Sequence, residues 1–261
     1  MQLTTIDLHI EVDPEAPDEA LYFVNGYIGG RPYKFLLDTG AARSAIIQDE
    51  FSAQYESTGK SDGSGVFMPS DDDLITVPAI QIGSLVQENL VVGRVNAAAN
   101  DTNIIGMDFL QHYRCEFHFD QNKLLIDESD STPEDVLSLQ TSAKFHPYVD
   151  VHFEQGDALA VWDTGASITV VDSTFIKEYP NLFTADGAEK GTDATGATFE
   201  TPMYKMQPCS IGGRSFPGVR VASVDLSHMN AKMMMILGYN ILSRANWLFD
   251  FPDKKWAFIN R

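Results

Sequence analysis

Two short stretches of this chain carry residue types that could do chemistry together. Phe35-Leu36-Leu37 runs into Asp38-Thr39-Gly40-Ala41, and Leu159-Ala160-Val161-Trp162 runs into Asp163-Thr164-Gly165-Ala166. A carboxylate at the end of an apolar strand is costly unless it is paired or used. Glycine beside it lets the chain turn sharply and pass close to another backbone. The threonine hydroxyl can hydrogen-bond across to the main chain of the opposite copy. If a pseudo-twofold axis relates the two turns, Asp38 and Asp163 meet on it as a coplanar pair. Two carboxyls that close cannot both ionise readily, so they share a proton and titrate as a unit. One could then take a proton from water while the other donates to a carbonyl oxygen. That is amide hydrolysis without a metal or a covalent intermediate.

The segments that must position these turns are duplicated too. Asn103-Ile104-Ile105-Gly106-Met107-Asp108-Phe109-Leu110 matches Met235-Ile236-Leu237-Gly238-Tyr239-Asn240-Ile241-Leu242. From there the copies run without a gap, through Phe117 and Phe249, to Leu124-Leu125-Ile126 and Trp256-Ala257-Phe258. A third block, Ile82-Gly83-Ser84 through Val92, matches Ile211-Gly212-Gly213 through Val221. The offset is 125 residues at the Asp-Thr-Gly triplets, 129 at the third block and 132 from Gly106 onward, so the second copy carries its extra length in two loops. Self-similarity of this kind marks a repeated structural unit.

Each copy reads as β. Short runs rich in Val, Ile, Tyr and Phe (Tyr27-Ile28, Phe35–Leu37, Ile75–Val77, Leu90–Val92, Leu124–Ile126) are bounded by Gly, Pro, Asn and Asp. Helix is expected over one or two turns at Gly106–Tyr113 and Gly238–Ala245. A short one should also be capped by Asp172-Ser173-Thr174 and run through Ile176 to Tyr179. Asp127 to Thr141 is polar, acidic and interrupted by Pro133, the composition of a connection. The expectation is an all-β, bilobal chain: one lobe over 1–130, a linker over 131–141, and a second lobe over 142–261.

Composition narrows the partners. Lys and Arg number 18 against 37 Asp and Glu, a formal charge of −19 and a pI near 4.5, which disfavours nucleic acid and anionic membrane surfaces. No apolar run approaches the roughly 18 residues of a membrane span. Met1-Gln2-Leu3-Thr4-Thr5 lacks the basic and apolar regions of a secretory leader, so the chain either stays in the cytoplasm or is exported with its leader already removed. Cys115 and Cys209 cannot build a disulfide framework and read as buried free thiols. The six histidines show no metal-ligand spacing, so no metal site is expected. Gly59-Lys60-Ser61-Asp62-Gly63 copies a nucleophile elbow in letters only, because the segment before it is polar and the one after it is a Gly/Ser loop. Asp71-Asp72-Asp73 lacks the spacing of a calcium loop.

On these residues the chain resembles the aspartic peptidases of the retropepsin-like branch. Their first pattern appears as Leu36-Leu37-Asp38-Thr39-Gly40-Ala41-Ala42-Arg43-Ser44 and again as Val161-Trp162-Asp163-Thr164-Gly165-Ala166-Ser167-Ile168-Thr169. Their second pattern, two Ile or Leu, Gly, any residue, Asp or Asn, any residue and Leu, is met at Gly106 and Gly238. Retroviral proteases carry one such motif per chain and dimerise, whereas pepsins fuse two lobes. This chain looks like two retropepsin-type units fused in tandem.

The resemblance implies the acid-protease fold, with two similar β-barrel-like lobes about a pseudo-twofold axis and few short helices. It implies catalysis by Asp38 and Asp163 sharing a proton, with Thr39, Gly40, Thr164 and Gly165 supporting them. The partner would be a peptide or protein substrate lying extended between the lobes. No cofactor is implied, and the chain would act as a monomer that is an internal pseudo-dimer. A flap is implied as well: Gly63, Gly65 and Val66 are the candidates in the first lobe and Gly196 in the second, where small and apolar residues suit a mobile cover. Arg43, opposite Ile168 in the second copy, either biases the pocket toward acidic side chains or faces solvent. The alternative function is a catalytically silent relative that binds extended peptides by strand addition, although both triplets are intact.

Overall fold

Alternating burial makes the strands of this computed structural model, which describes residues 4–61, 72–96, 102–126, 135–192, 197–229 and 233–259. In Pro147–Phe153, for example, Pro147, Val149 and Val151 are buried while Asp150 and His152 face out. The chain is all-β, and α-helix among the described residues is confined to Met107–Leu110, Ser173–Glu178 and Tyr239–Leu242. Asp172 caps the middle one, its carboxylate accepting from Thr174 N at 2.7 Å.

Each lobe holds one curled sheet. In the first, the order runs His9–Val12, Ala20–Ile28, Arg31–Leu37, Asn103–Ile105, Ala45–Ile47, Leu85–Val95, Asp73–Ile82, Gly59–Lys60. Ala20–Ile28 pairs again with Asp73–Ile82, through Tyr27 with Gln81 and Ile28 with Ile80, which brings the sheet back on itself as a barrel does. The second lobe repeats the centre of this plan, with Met235–Leu237 between Gly156–Trp162 and Val170–Asp172. In both lobes the inserted strand is parallel to the one before the Asp-Thr-Gly turn and antiparallel to the one after it. The turn is thereby gripped from both sides.

A third sheet joins the lobes. Its order is Thr4–Asp7, Lys123–Ile126, Arg114–His118, Asn246–Asp250, Lys255–Ile259, Leu137–Ser138. The two middle strands are copies of each other, and Glu116 lies directly opposite its own equivalent, Leu248. The pseudo-twofold axis therefore passes through that pair. Above it lies an aromatic cluster drawn from both lobes: Trp162 sits 4.7 Å from Phe117 and 4.5 Å from Phe249, with Trp247 at 5.7 Å. All four side chains are fully buried in a core that runs continuously through both lobes. At about 1.5–3 kcal/mol per large apolar side chain buried, these residues hold the lobes together more strongly than any ion pair does.

Part of the stretch expected as a linker is sheet. Leu137–Ser138 pairs with Trp256 and Lys255, and Gln140–Thr141 with Tyr148 and Pro147. Leu137–Ser138 occupies the same outer place beside the second lobe's strands that Thr4–Asp7 occupies beside the first's. Cys115 and Cys209 are free and buried. Among the described residues no helix is long and apolar enough to cross a membrane.

Trp247→Ala should cost about 3–5 kcal/mol, the usual range for emptying a large aromatic site, while Trp247→Phe should cost distinctly less. Urea unfolding followed by far-UV circular dichroism measures both.

Candidate active site

Both aspartates sit where a strand ends. Asp38 follows Arg31–Leu37 and Asp163 follows Gly156–Trp162, and each backbone N–H still pairs with the inserted strand: Asp38 N to Ile105 O at 3.0 Å, Asp163 N to Leu237 O at 3.1 Å. The chain then turns across the lobe boundary. There the threonines interlock. Thr39 Oγ1 donates to Trp162 O at 2.7 Å and Thr164 Oγ1 donates to Leu37 O at 2.6 Å. Each hydroxyl also accepts from the other's backbone, Thr164 N to Thr39 Oγ1 at 3.1 Å and Thr39 N to Thr164 Oγ1 at 3.2 Å. Both threonines are essentially inaccessible to water, so every one of these groups depends on the other lobe.

This brings the Asp38 and Asp163 carboxyls together, each set against the other lobe's glycine. Glycine is obligatory beside them. A Cβ on Gly40 would fall inside the Asp163 carboxyl, and one on Gly165 inside that of Asp38. The bare backbone instead donates hydrogen bonds to the pair: Gly40 N and Gly165 N reach Asp163 Oδ1 at 3.1 and 2.8 Å, and Ala41 N reaches Asp38 Oδ1 at 2.8 Å.

Burial pushes both carboxyls above the usual carboxylate range. Asp38 is driven well up, first by desolvation, then by the neighbouring charge of Asp163 and by donating its hydrogen bond to it. Asp163 rises by desolvation too, but the Gly165, Gly40 and Ala166 N–H groups and the Asp38 hydroxyl oppose the rise. Of the two, Asp38 is therefore raised the further, and the pair titrates as a unit. Asp38 is 7% exposed, whereas Asp163 is half-buried.

A further layer, not singled out beforehand as site residues, braces each turn. Ser44 Oγ donates to Asp108 Oδ1 at 2.7 Å and accepts from Gly106 N at 3.0 Å. Thr169 Oγ1 donates to Asn240 Oδ1 at 2.7 Å and accepts from Gly238 N at 3.1 Å. The signal was present in both sequence patterns, as the Ser/Thr that closes the first and the Asp/Asn within the second. Gly106 must be glycine because a Cβ there would lie 2.8 Å from Ala41 O.

Two small apolar clusters flank the pair, separate from the main core. Phe23, Leu36 and Ile104, with Leu21, Ala41 and Ala45, form one. Val161, Leu226, Met233 and Ile236, with Tyr148, Ala166 and Val170 among others, form the equivalent on the second lobe. Arg43 is exposed, its Nη1 donating to Val91 O at 3.3 Å. Glu19, also unremarked in the sequence, lies half-buried where the first lobe meets Ser167, Glu189 and Arg220 of the second. The flap candidates Gly63, Gly65, Val66 and Gly196 lie outside the described residues. The strands that flank them are described: Gly59–Lys60 with Asp73–Ile82, and the longer Phe183–Thr192 with Thr198–Met206. Among the described residues no cluster of His, Cys, Asp and Glu could hold a metal ion.

Two family models match the chain, one in each half. That described as "gag-polyprotein putative aspartyl protease" matches residues 24–112, and that described as "Aspartyl protease" matches residues 149–241. Each match contains the Asp-Thr-Gly turn and the Gly106 or Gly238 segment of its own lobe. No curated protein matches the chain.

Thr39→Val should orphan two buried groups, Thr164 N–H and Trp162 C=O, at about 1–3 kcal/mol each. Thr39→Ser should keep most of the stability. Adding Thr164→Val to Thr39→Val should cost less than the two single changes summed, because they act on one network. Equilibrium urea unfolding of the four variants reads this directly.

Proposed function

The chain carries two aspartyl protease domains in tandem, and from that premise we propose that it is an aspartic endopeptidase whose single active site is built from both, with Asp38 and Asp163 as its catalytic carboxyls. The observation that carries the reading is the pair of carboxyls that the crossed threonines bring together on the lobe boundary, each set against the other lobe's glycine. A water held against both would lose a proton to Asp163 as its oxygen attacks the scissile carbonyl carbon, while Asp38 gives its proton to the carbonyl oxygen. When the tetrahedral adduct collapses, the C–N bond breaks and the departing amine takes the proton from Asp163. The hydroxyl proton returns to Asp38. The pair ends as it began, with one proton.

The substrate lies extended between the lobes. The two flanking apolar clusters support a preference for apolar side chains on both sides of the cut, since each would meet Leu36 and Ile104 or Val161 and Ile236. The active form holds a single proton, so the rate should rise and fall with pH. Because burial pushes both carboxyls up, the falling limb should lie above the range of an ordinary aspartate. Thr39, Thr164, Gly40 and Gly165 act by holding the geometry.

Digestion of an unfolded protein mixture from pH 3 to 7 tests this, with and without a statine-type transition-state analogue. The wild-type chain should cleave and the analogue should block it. Asp38→Asn and Asp163→Asn should each lower cleavage by about 10²–10⁴-fold or more while the circular dichroism spectrum stays unchanged. Full activity in either variant overturns the mechanism. Analogue binding without cleavage at any pH would instead identify a silent peptide-binding module.

A further inference from the structure

The pseudo-twofold symmetry places an aspartate where its counterpart is an amide. Asn240 satisfies both ends of its side chain. Oδ1 accepts from Thr169 N and Oγ1 at 3.0 and 2.7 Å, and Nδ2 donates to the backbone carbonyl of Arg220 at 2.6 Å. Asp108 makes the same first set of contacts, Oδ1 accepting from Ser44 N and Oγ at 2.8 and 2.7 Å. Its Oδ2, buried from water, has no hydrogen-bond partner among the described residues. The repeat points to what it would face. Ala45 pairs with Gly93 as Val170 pairs with Ala222, so Val91 O is the equivalent of Arg220 O. A carboxylate oxygen turned on a carbonyl oxygen is repelled, whereas a carboxylic acid hydroxyl can donate to it as the amide does.

We propose that Asp108 is a buried carboxylic acid that donates Oδ2–H to Val91 O, and that this proton is a positioning element for the turn that carries Asp38. The connection is short. Asp108 holds Ser44, and its backbone segment holds the turn through Met107 N to Ala41 O at 2.8 Å and Asp108 N to Ala42 O at 3.2 Å. Desolvation raises the Asp108 carboxyl above its ordinary value, against the hydrogen bonds from Ser44 and Phe109 N–H and the charge of Arg43. Arg43 is the charged side chain facing it; it is exposed and therefore screened, and its Nη1 takes a long bond of 3.3 Å to the same Val91 carbonyl, which has a second lone pair for Asp108. On the Val91 strand, Glu88 is exposed and Arg94 is bound to Asp73 and to the Ser52 and Tyr55 carbonyls. A group whose pKa is raised by folding stabilises the native state below its unfolded value, and that stability disappears as pH rises through the folded value. Deprotonation of Asp108 should therefore loosen the first turn as pH rises, while the second turn, braced by Asn240, is indifferent.

The test is thermal unfolding of the full chain between pH 4 and 8.5 for wild type, Asp108→Asn and Asn240→Asp. Asp108→Asn should match wild type in acid and melt higher above neutrality. Asn240→Asp should match wild type in acid and melt lower above neutrality, because it imports the same requirement into the second lobe. The carboxyl pair contributes equally to all three, so the differences between them isolate this position. Melting curves for Asp108→Asn that parallel wild type at every pH would overturn the proposal, as would an Asp108→Asn chain unfolded in acid. If Asn240→Asp does not fold, the Asp108→Asn comparison decides alone. None of these readings requires cleavage. Where cleavage is measurable, Asp108→Asn should also shift its falling limb to higher pH.

Discussion

Two carboxyls pressed against each other away from bulk water form the constraint around which this chain is organised. Neither desolvation nor their mutual repulsion is small; an ion moved into a protein interior costs several kcal/mol even after relaxation. The cost is met locally by removing one charge and solvating the other with the backbone. Asp163 collects N–H groups from both turns, and the Asp38 carboxyl is raised the further of the two. Each feature nearby answers to that need. Glycines follow because a side chain would occupy the space of a carboxyl, and the threonines follow because the turns can be fixed only by bonds that cross between lobes.

Such bonds demand a rigid base. The crossed threonines tolerate displacements of a few tenths of an ångström, yet they join segments from opposite lobes of the chain. The six-stranded sheet meets the requirement by pairing Arg114–His118 with Asn246–Asp250 on the axis, and Trp162 packs the base of one turn onto Phe117 and Phe119 of the other lobe. The inserted strands Asn103–Ile105 and Met235–Leu237 do the same at shorter range. Packing, sheet register and site geometry are thus one problem solved three times at decreasing distance from the pair.

The pair and its braces were legible because they occur twice. One Asp-Thr-Gly is weak, but two in register with the Gly106 and Gly238 segments carry both the duplication and the site. The strands cored by Phe35–Leu37, Ile75–Val77 and Leu124–Ile126 followed from composition and turn residues, and so did the cap at Asp172. What stayed hidden was long-range. Strand pairing is nonlocal, so no periodicity in Arg114–His118 could name Asn246–Asp250 as its neighbour. Leu137 and Leu139 are too few apolar residues to mark an edge strand within an acidic stretch, and an edge strand with one protected side needs no more. Nor could the letters of two identical triplets say which carboxyl is raised the further, since that depends on burial and on N–H groups counted in three dimensions.

Fusion of the two copies makes that difference possible. In a homodimer every residue of one half has an identical counterpart across the axis. Here each half can drift. Leu37 faces Trp162, Ser44 faces Thr169, Arg43 faces Ile168 and Asp108 faces Asn240 across the same axis. Most of these exchanges preserve hydrogen-bonding capacity: the serine and threonine hydroxyls each join an Asp or Asn to a glycine N–H. The Asp-Thr-Gly turns themselves are identical in letters, yet Gly40 N–H crosses the axis to Asp163 Oδ1. An N–H group donated to a carboxylate favours its charged form. Before any substrate arrives, the two carboxyls of a duplicated chain can thus differ in how readily each gives up its proton.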